Sequence, residues 1–325
     1  MPAERPRTRV SLVRCPDYDP QRVRRAVKQL VDALGGMGAF VRPGDRVLLK
    51  PNLIVPRPAE AAVTTHPEVV RAVALEVLAA GGRPFVGDSP AFSSALSAAR
   101  ASGIEKVAKE IGMEVADLGR RPRSRQIDAL GHFQRASFGA RALEADAIIN
   151  LPKIKAHGQT AMSLGVKNMF GAVAGKRKAF FHFRNGDDPA RFGRLLVAVC
   201  RHLAPALTIS DAVVALERSG PTRGDPRRVG LLAASADPVA VDRVILEVLG
   251  VDPGAVPYIR AASDLGYGAG SLAEIDVVGE AIETVRVPDY IGVSSPTPIS
   301  FSLARVIRSI ARQAAYLARA KIQSR

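Results

Sequence analysis

Residues 45–90 read DRVLLKPNLIVPRPAEAAVTTHPEVVRAVALEVLAAGGRPFVGDSP, and this stretch decides the fold. Apolar runs in DRVLLKPNLIV and in RPFVGDSP predict strands, and the segment HPEVVRAVALEVLAAGG between them predicts a helix. The helix is expected to begin at Pro67, because proline suits a first helical turn, and to end at Gly81 and Gly82. A strand, a helix and a second strand in this order are typical of a parallel sheet.

Further strand candidates extend this alternation along the chain, with helical patterns between them. They are TRVSLVR (8–14), MEVADL (113–118), ADAIINL (145–151), LTISDAV (207–213), VGLLAAS (229–235) and IDVVG (275–279). We therefore predict an α/β fold with a mostly parallel sheet that is covered by helices on both faces.

The α/β domain is predicted to span residues 1–290. Inside it, HPEVVRAVALEVLA from His66 and DPVAVDRVILEVLG from Asp237 match at about half of their positions. A duplication would explain the match and would divide the domain into two similar lobes, residues 1–145 and 146–290. Convergence would explain it equally well, because a polar cap residue followed by proline is a common helix start.

The last segment, residues 291–325, is predicted to form a linker and a basic amphipathic helix. At about 100° per residue, apolar side chains from Leu303 to Leu317 share one face, and arginines from Arg305 to Arg319 share the opposite face. Two hypotheses remain open for this helix. It lies on an anionic membrane surface, or it docks on the protein's own body or on a partner.

The composition indicates a globular protein with an excess of positive charge. The chain has 325 residues, 47% of them hydrophobic, with a formal net charge of +15 and a pI near 10.5. This charge suits an anionic partner, and arginines spread over the surface explain it equally well. Aromatic residues make up 5% of the chain and do not interleave with basic strands, so nucleic acid is the least favoured partner.

The two cysteines, Cys15 and Cys200, lie far apart and form no C-x-x-C pattern. This spacing excludes a zinc ribbon and a self-contained iron–sulfur cluster, and the sequence identifies no other cofactor. The N-terminal segment has no apolar signal core, and no window has the uncharged length of a membrane span. We expect a cytoplasmic location, at the inner face of the membrane if the basic helix binds lipid.

Polar side chains follow the ends of several predicted strands, where ligands of parallel sheets gather. The lysines of this set are embedded in apolar sequence, which favours a binding site for a carboxylate or a phosphate. Lysines that lie close together also lower one another's pKa. The predicted substrate-binding residues are Lys50, Asn52, Ser89, Lys153, Lys167, Asn168, Asp211 and Glu217.

The predicted catalytic residues are His157, Lys155 and Asp88. A histidine beside lysines tends to be neutral, so His157 is a candidate acid or base, and the alternative is a loop histidine with one local hydrogen bond. The acidic residues of the set either balance the lysines or hold a metal. No tight spacing of histidine and carboxylate ligands is present, and we therefore predict no metal site.

Several segments together carry a resemblance to a known family. In order between about Val47 and Gly279, they are LLKPNLI, TTHPEVVRAV, VGDSPA, IINLPKIKAHGQTAMSLGVKNMFG, GPTRGDPRRVGLLAASADPVAVD and VPYIRAASDLGYG. In these segments the chain resembles the family catalogued as domain of unknown function 362. The resemblance implies that the lysine-rich segment and the KPN and GDSP turns belong to a shared site, but it implies no particular reaction.

Many members of that family resemble ferredoxin-linked proteins and carry a C-terminal domain with two cysteine-rich four-iron cluster motifs. This chain departs from that pattern, because it has the arginine helix and no cysteines after Pro296. The resemblance therefore implies that an iron–sulfur function belongs to a separate ferredoxin partner or is absent.

Two functional hypotheses follow from the sequence. The first is a cytoplasmic enzyme that acts on an anionic small molecule, whose developing oxyanion the lysines stabilise. The alternative is a non-catalytic protein that binds an anion or a cofactor and is held at a membrane surface by its basic C-terminal helix.

Overall fold

The computed structural model describes residues 7–91, 93–128, 133–175, 178, 181 and 188–293. The predicted basic helix within residues 291–325 lies outside the described residues from residue 294 onward.

Strands and helices alternate along most of this part of the chain. The strands are β1 (Thr8–Arg14), β2 (Arg46–Pro51), β3 (Arg83–Asp88), β4 (Val115–Asp117), β5 (Pro122–Asp128), β6 (Phe133–Gly139), β7 (Ala147–Leu151), β8 (Lys153–His157), β9 (Ala161–Ser163), β10 (Leu207–Glu217), β11 (Asp225–Ser235) and β12 (Ile275–Gly279). The α-helices with described bounds are α1 (Pro20–Asp32), α2 (Pro67–Ala79), α3 (Ala95–Ala101), α4 (Ile104–Ile111), α5 (Ala140–Leu143), α6 (Gly165–Asn168), α7 (Pro189–Leu203), α8 (Pro238–Leu249) and α9 (Pro257–Asp264).

Ten of these strands form one mostly parallel sheet. Its order is β12–β1–β11–β10–β7–β2–β3–β4, with β8 paired to β10 and β9 paired to β8. Neighbouring strands are parallel except where β11 lies between β1 and β10 and where β9 pairs with β8. The strands β5 and β6 form a separate antiparallel hairpin.

Helices pack on both faces of this sheet, as the alternation of side chains along β2 shows. Leu48 belongs to the apolar cluster that includes side chains of α6, α7, α8 and α9. Its neighbours Val47 and Leu49 belong to a second cluster that includes side chains of α1, α2, α3 and α4. Successive side chains of a strand point to opposite faces, so each face of the sheet has its own core. The predicted fold class is confirmed.

The two similar helical segments form α2 and α8, and both begin at a proline that follows a polar cap. The Nδ1 atom of His66 accepts a hydrogen bond from the Glu68 amide, and the carboxylate of Asp237 accepts bonds from two amides of α8. The sheet is continuous across the proposed lobe boundary, because β2 pairs with β7. The division into lobes of residues 1–145 and 146–290 stays a prediction.

The hairpin β5–β6 has no counterpart in the sequence prediction. Six of the seven residues of β5 are exposed, so this strand lacks the alternation of apolar side chains that reveals a half-buried strand.

The sequence predicts no strand in residues 152–164, and the structure forms two there, β8 and β9, before helix α6. Lys153, Lys155 and His157 occupy alternate positions of β8, which then turns back into β9. In KIKAH these three side chains alternate with apolar residues. Such a period of two is the sequence signal of a strand, because alternate side chains point to the same face.

Candidate functional site

The candidate site lies at the point where the order of the parallel strands reverses. From β2 the chain passes through α2 to β3 on one side, whereas β7 lies on the other side of β2 and leads to β8 and α6. The ends of β2 and β7 are adjacent, with Lys50 opposite Asn150. In open α/β sheets, the crevice at such a switch point is the usual place for a ligand.

Five lysines converge near this edge of the sheet, and the charges of neighbouring lysines act on Lys155 and Lys178. The Nζ-bearing side chains of Lys50, Lys153 and Lys155 are fully buried, Lys178 is buried, and Lys167 is half-buried. Burial lowers the pKa of all five ammonium groups, to about 8 for Lys167 and about 7 for Lys178. A lysine whose pKa is lowered in this way gives up its proton more readily, and a nearby anion favours its charged form.

A buried ion pair between Lys50 and Asp88 joins the ends of β2 and β3. Their Nζ and Oδ1 atoms are 2.9 Å apart, and both side chains are at most 4% exposed. The Asp88 carboxylate also accepts hydrogen bonds from the amides of Leu53, at 2.7 Å, and Ser89, at 2.8 Å. Asp88 therefore fixes the turns that follow two neighbouring strands.

A second buried pair links Lys153 to Asp211, with 3.0 Å between Nζ and Oδ2. Tyr18 completes a triangle, because its hydroxyl accepts from Lys153 at 2.6 Å and donates to Asp211 at 2.7 Å. Burial and the charge of Asp211 raise the pKa of Tyr18 well above its usual range. The Tyr18 ring stacks on His66 at 3.6 Å between centroids, and burial lowers the pKa of His66 to about 4.

A chain of asparagine amides connects the ends of β2, β7 and α6. Asn168 donates from Nδ2 to the Lys50 carbonyl at 3.0 Å and to Asn150 Oδ1 at 2.8 Å. Its Oδ1 accepts from Asn52 Nδ2 at 2.9 Å. Asn52 Oδ1 in turn accepts from the Nζ atom of Lys155 at 2.6 Å. Backbone carbonyls anchor this chain, so the orientation of each amide is set.

Positive charge exceeds negative charge in the cluster. Lys50 and Lys153 each have a carboxylate partner, whereas Lys155, Lys167 and Lys178 have no carboxylate within 4.0 Å among the described residues. Burial and then the charges of Lys167 and Lys153 lower the pKa of Lys155 well below its usual range. An anionic ligand at the cluster would therefore meet lysines that the two aspartates do not neutralise.

Ser89 and Lys178 close one end of the cluster. Lys178 Nζ donates to the carbonyls of Ser89 and, at 2.8 Å, Gly171, and Ser89 Oγ accepts from the Gly175 amide at 2.8 Å. The Cα atom of Gly171 lies against the Lys50–Asp88 pair, since an added Cβ atom would be 2.4 Å from Lys50 Nζ.

Two predicted residues lie at the margin of this cluster. His157 follows Lys155 on the same face of β8, and its Nδ1 atom accepts a hydrogen bond from the Gln159 amide at 3.1 Å. Glu217 lies at the end of β10, where its carboxylate accepts from the Ile291 amide at 3.1 Å and faces Arg218 at 3.9 Å. The functional roles of His157 and Glu217 stay predictions.

Three members of the network were not predicted from the sequence. Asn150 ends the apolar run AIIN, and its place at a strand end was a usable signal. Tyr18 reaches the site from a distant segment, whereas Lys178 lies only seven residues after Gly171. Nothing in the local sequence of either residue indicates its place in the network.

In the described ranges, no three histidine, cysteine, aspartate or glutamate side chains form a group that could hold a metal ion. The helices described there are also too short or too polar to cross a membrane. Two surface depressions, one on α1 and one between α7 and α9, lie away from the lysine cluster.

Comparison with known proteins identifies relatives along most of the chain. The family model described as "Domain of unknown function (DUF362)" matches residues 47–247. The chain is similar to the thylakoid-associated protein sll1697 of Synechocystis sp. (strain ATCC 27184 / PCC 6803 / Kazusa), with 41% identity over 300 residues, 92% of each chain.

Two solved structures have partly similar folds. The lactate racemase apoprotein from Thermoanaerobacterium thermosaccharolyticum gives a TM-score of 0.46 at 15% identity, over 73% of this chain and 56% of that protein. A crystal structure of a protein from Thermotoga maritima gives a TM-score of 0.42 at 12% identity, over 66% of this chain and 55% of that protein. This chain therefore spans little more than half of either protein.

We expect Asp88→Asn to destabilise the protein by about 3 kcal/mol or more, because it leaves the buried Lys50 ammonium without its carboxylate. Urea unfolding measures the change. Asp32→Asn, which breaks an exposed pair with Lys28, is the control and should cost about 1 kcal/mol or less. Adding Lys50→Met to Asp88→Asn should restore part of the lost stability. Equal losses for the buried and the exposed pair would contradict the assignment.

Gly171→Ala should also destabilise the fold, because the new methyl group would overlap both partners of the Lys50–Asp88 pair. Gly158→Ala is the matched control, since an added Cβ atom there meets no atom within 4 Å. Thermal unfolding compares the two variants. A midpoint for Gly171→Ala as high as that for Gly158→Ala would show that Gly171 does not lie against the ion pair.

Proposed function

This chain belongs to the family described as domain of unknown function (DUF362), and we propose that it is an enzyme that binds an anionic small molecule at the lysine cluster. The observation that supports the proposal is the excess of buried lysines, of which Lys155, Lys167 and Lys178 have no carboxylate partner among the described residues. A ligand with carboxylate or phosphate groups supplies the missing negative charge.

Burying a cation away from water costs free energy. An ammonium group removed from water without a counter-charge loses several kcal/mol of solvation, and it either releases its proton or takes up an anion. The lowered pKa values of Lys155 and Lys178 favour the first outcome, whereas Lys167, with a pKa of about 8, keeps most of its charge at neutral pH. An anion would favour the charged form of the lysines that it contacts.

Catalysis is favoured over simple storage by the rigidity of the cluster. Lys50 and Lys153 are held in fixed positions by Asp88 and Asp211, so their charges need no reorganisation when a reaction begins. Preorganised cations of this kind stabilise an oxygen on which negative charge develops. Lysines with lowered pKa values can in addition act as bases near neutral pH. We assign these acid–base roles to the cluster, with His157 as a further candidate at its margin.

A second candidate is a binding protein held at a membrane surface. The observation that favours it is the 41% identical relative, which is described as thylakoid-associated. Under this hypothesis the lysine cluster holds an anion or a cofactor without converting it. Turnover of a bound compound separates the two candidates, because only the enzyme consumes it.

A panel of small anions should raise the thermal midpoint of the purified protein. We expect stabilisation by carboxylates or phosphates, which contribute RT ln(1 + [L]/Kd) to the free energy of unfolding, and none from neutral analogues of the same size. Differential scanning fluorimetry followed by product analysis on each stabilising compound provides the measurement.

Two variants make this experiment specific to the cluster. Lys167→Met should remove at least about tenfold of the affinity, a loss of about 1.4 kcal/mol, whereas Lys28→Met, at an exposed lysine, should leave it unchanged. If no anion in the panel stabilises the protein, or if both variants bind equally well, the proposed function is wrong.

Anion affinity should rise as the pH falls. The ordinary pKa of lysine is 10.5, and the site lowers it to about 8 for Lys167 and about 7 for Lys178. Between about pH 8.5 and about pH 6.5, both groups therefore take up protons, and the site becomes more positive. Binding should be accompanied by proton uptake, because the bound anion raises both pKa values.

Calorimetric titrations with oxalate test this dependence, because the charge of oxalate is constant over that range. Titrations in buffers with different ionisation enthalpies give the number of protons taken up. Lys178→Met should flatten the lower part of the pH profile. An affinity that is independent of pH, or that rises with pH, would contradict the charge assignment.

A further inference from the structure

We propose that Lys155 is a nucleophile that forms an imine with the carbonyl carbon of a 2-oxo acid. This inference rests on the proposed anion site and names its substrate class. Lys155 differs from the two other fully buried lysines of the cluster, because Lys50 and Lys153 each contact a carboxylate and Lys155 does not.

The hydrogen bonds of Lys155 match a neutral amine. Its Nζ atom donates to Asn52 Oδ1 at 2.6 Å and to the Val63 carbonyl at 2.8 Å. A neutral amine has two N–H groups and one lone pair, so these two acceptors use both hydrogens and leave the lone pair available. An ammonium group would carry a third N–H, for which the described residues provide no hydrogen-bond acceptor.

Both partners of Lys155 are permanent acceptors. The Val63 oxygen is a backbone carbonyl. Asn52 cannot present its NH₂ group to Lys155, because that group donates to Asn168 Oδ1. Asn168 is fixed in turn, since its own NH₂ group donates to the Lys50 carbonyl. This chain of amides holds the amine in place and never competes for its lone pair.

The surrounding charges keep Lys155 in the reactive form. Burial has the largest effect in lowering the pKa of its ammonium group, and the charge of Lys167 has the next largest. A lysine that is desolvated and close to other cations is activated in this way for attack on carbonyl carbon.

Lys167 provides the recognition element. It is the one half-buried lysine of the cluster, and no hydrogen bond or ion pair joins its Nζ atom to another described residue. A substrate that enters past Lys167 can place its carboxylate on that ammonium group. In a 2-oxo acid the carbonyl carbon is bonded directly to the carboxylate carbon, so a carboxylate bound by Lys167 brings the carbonyl into the cluster in which the charge of Lys167 acts on Lys155.

The reaction needs no oxidant or reductant. The Lys155 lone pair forms a C–N bond to the carbonyl carbon, and the C=O π electrons move to oxygen, which takes a proton from the Lys167 ammonium to give a carbinolamine. The nitrogen loses one proton to the neutral Lys167 amine. Oxygen then takes that proton back from Lys167, the C–O bond breaks and water leaves, and the nitrogen lone pair forms the C=N bond of a protonated imine. The balance is amine, ketone and one proton from Lys167 to protonated imine plus water.

The test is reductive trapping of the full-length protein with pyruvate or 2-oxoglutarate and sodium borohydride. We expect one adduct, with the mass of the acid plus two hydrogens minus one water. Peptide mapping should place it on Lys155, and trypsin should fail to cleave after that residue. Lactate, which has no ketone, is the matched probe and should give no adduct.

Two variants complete the design. Lys155→Met should lose the adduct while keeping its thermal midpoint, because methionine replaces a buried amine that has no carboxylate partner. Lys28→Met should keep the adduct. Peptide mapping on the unmodified sequence needs no variant, so a failure of Lys155→Met to fold would not affect the result.

The outcomes distinguish this inference from the proposed function. Adduct on Lys155 supports the inference. Stabilisation by the 2-oxo acids without an adduct, or an adduct spread over other lysines, overturns the inference and leaves the anion site intact. If no anion of the panel stabilises the protein and no adduct forms, both the inference and the proposed function are overturned.

Discussion

The structure of this site depends on one electrostatic constraint, which is that five buried or half-buried lysines share two aspartates. The two ion pairs, Lys50 with Asp88 and Lys153 with Asp211, tie β2 to β3 and β8 to β10. Each aspartate also accepts backbone amides from the turns beside it. The charges that hold the strand ends together are therefore the same charges that define the site, and the lysines left over have to lose a proton or meet an anion.

Helix α6 depends on a buried carboxylate outside the lysine cluster. Asp242 of α8 accepts the amides of Gly165, at 2.6 Å, and Val166, at 2.9 Å, and burial raises its pKa to about 8. These two bonds fix the start of the four-residue helix that carries Lys167 and Asn168. The position of the amide chain thus follows from a contact between two helices on the same face of the sheet, and a helix of one turn would have little stability of its own.

The sheet and part of the site could be predicted from the sequence, because apolar strands and the polar residues at their ends form local patterns. Lys50, Asp88 and Lys153 follow apolar strands directly, and in a mostly parallel sheet such positions share one edge. The pairings could not be predicted, because Tyr18 reaches the cluster from a segment far away in sequence. The hairpin β5–β6 was missed for another reason, since six of the seven residues of β5 are exposed and show no apolar period.

A purely structural role explains the paired lysines better than the unpaired ones. An ion pair such as Lys153–Asp211 can stabilise a strand end, although apolar side chains of the same size often stabilise a fold as well or better. Lys155 brings a polar nitrogen into the interior without any carboxylate, and a chain of three asparagines is oriented so that an acceptor faces it. That arrangement costs desolvation energy and gives the fold only two hydrogen bonds in return. What the arrangement provides instead is a reactive amine that is held in a fixed direction. Such an amine is useful only when a ligand enters the site.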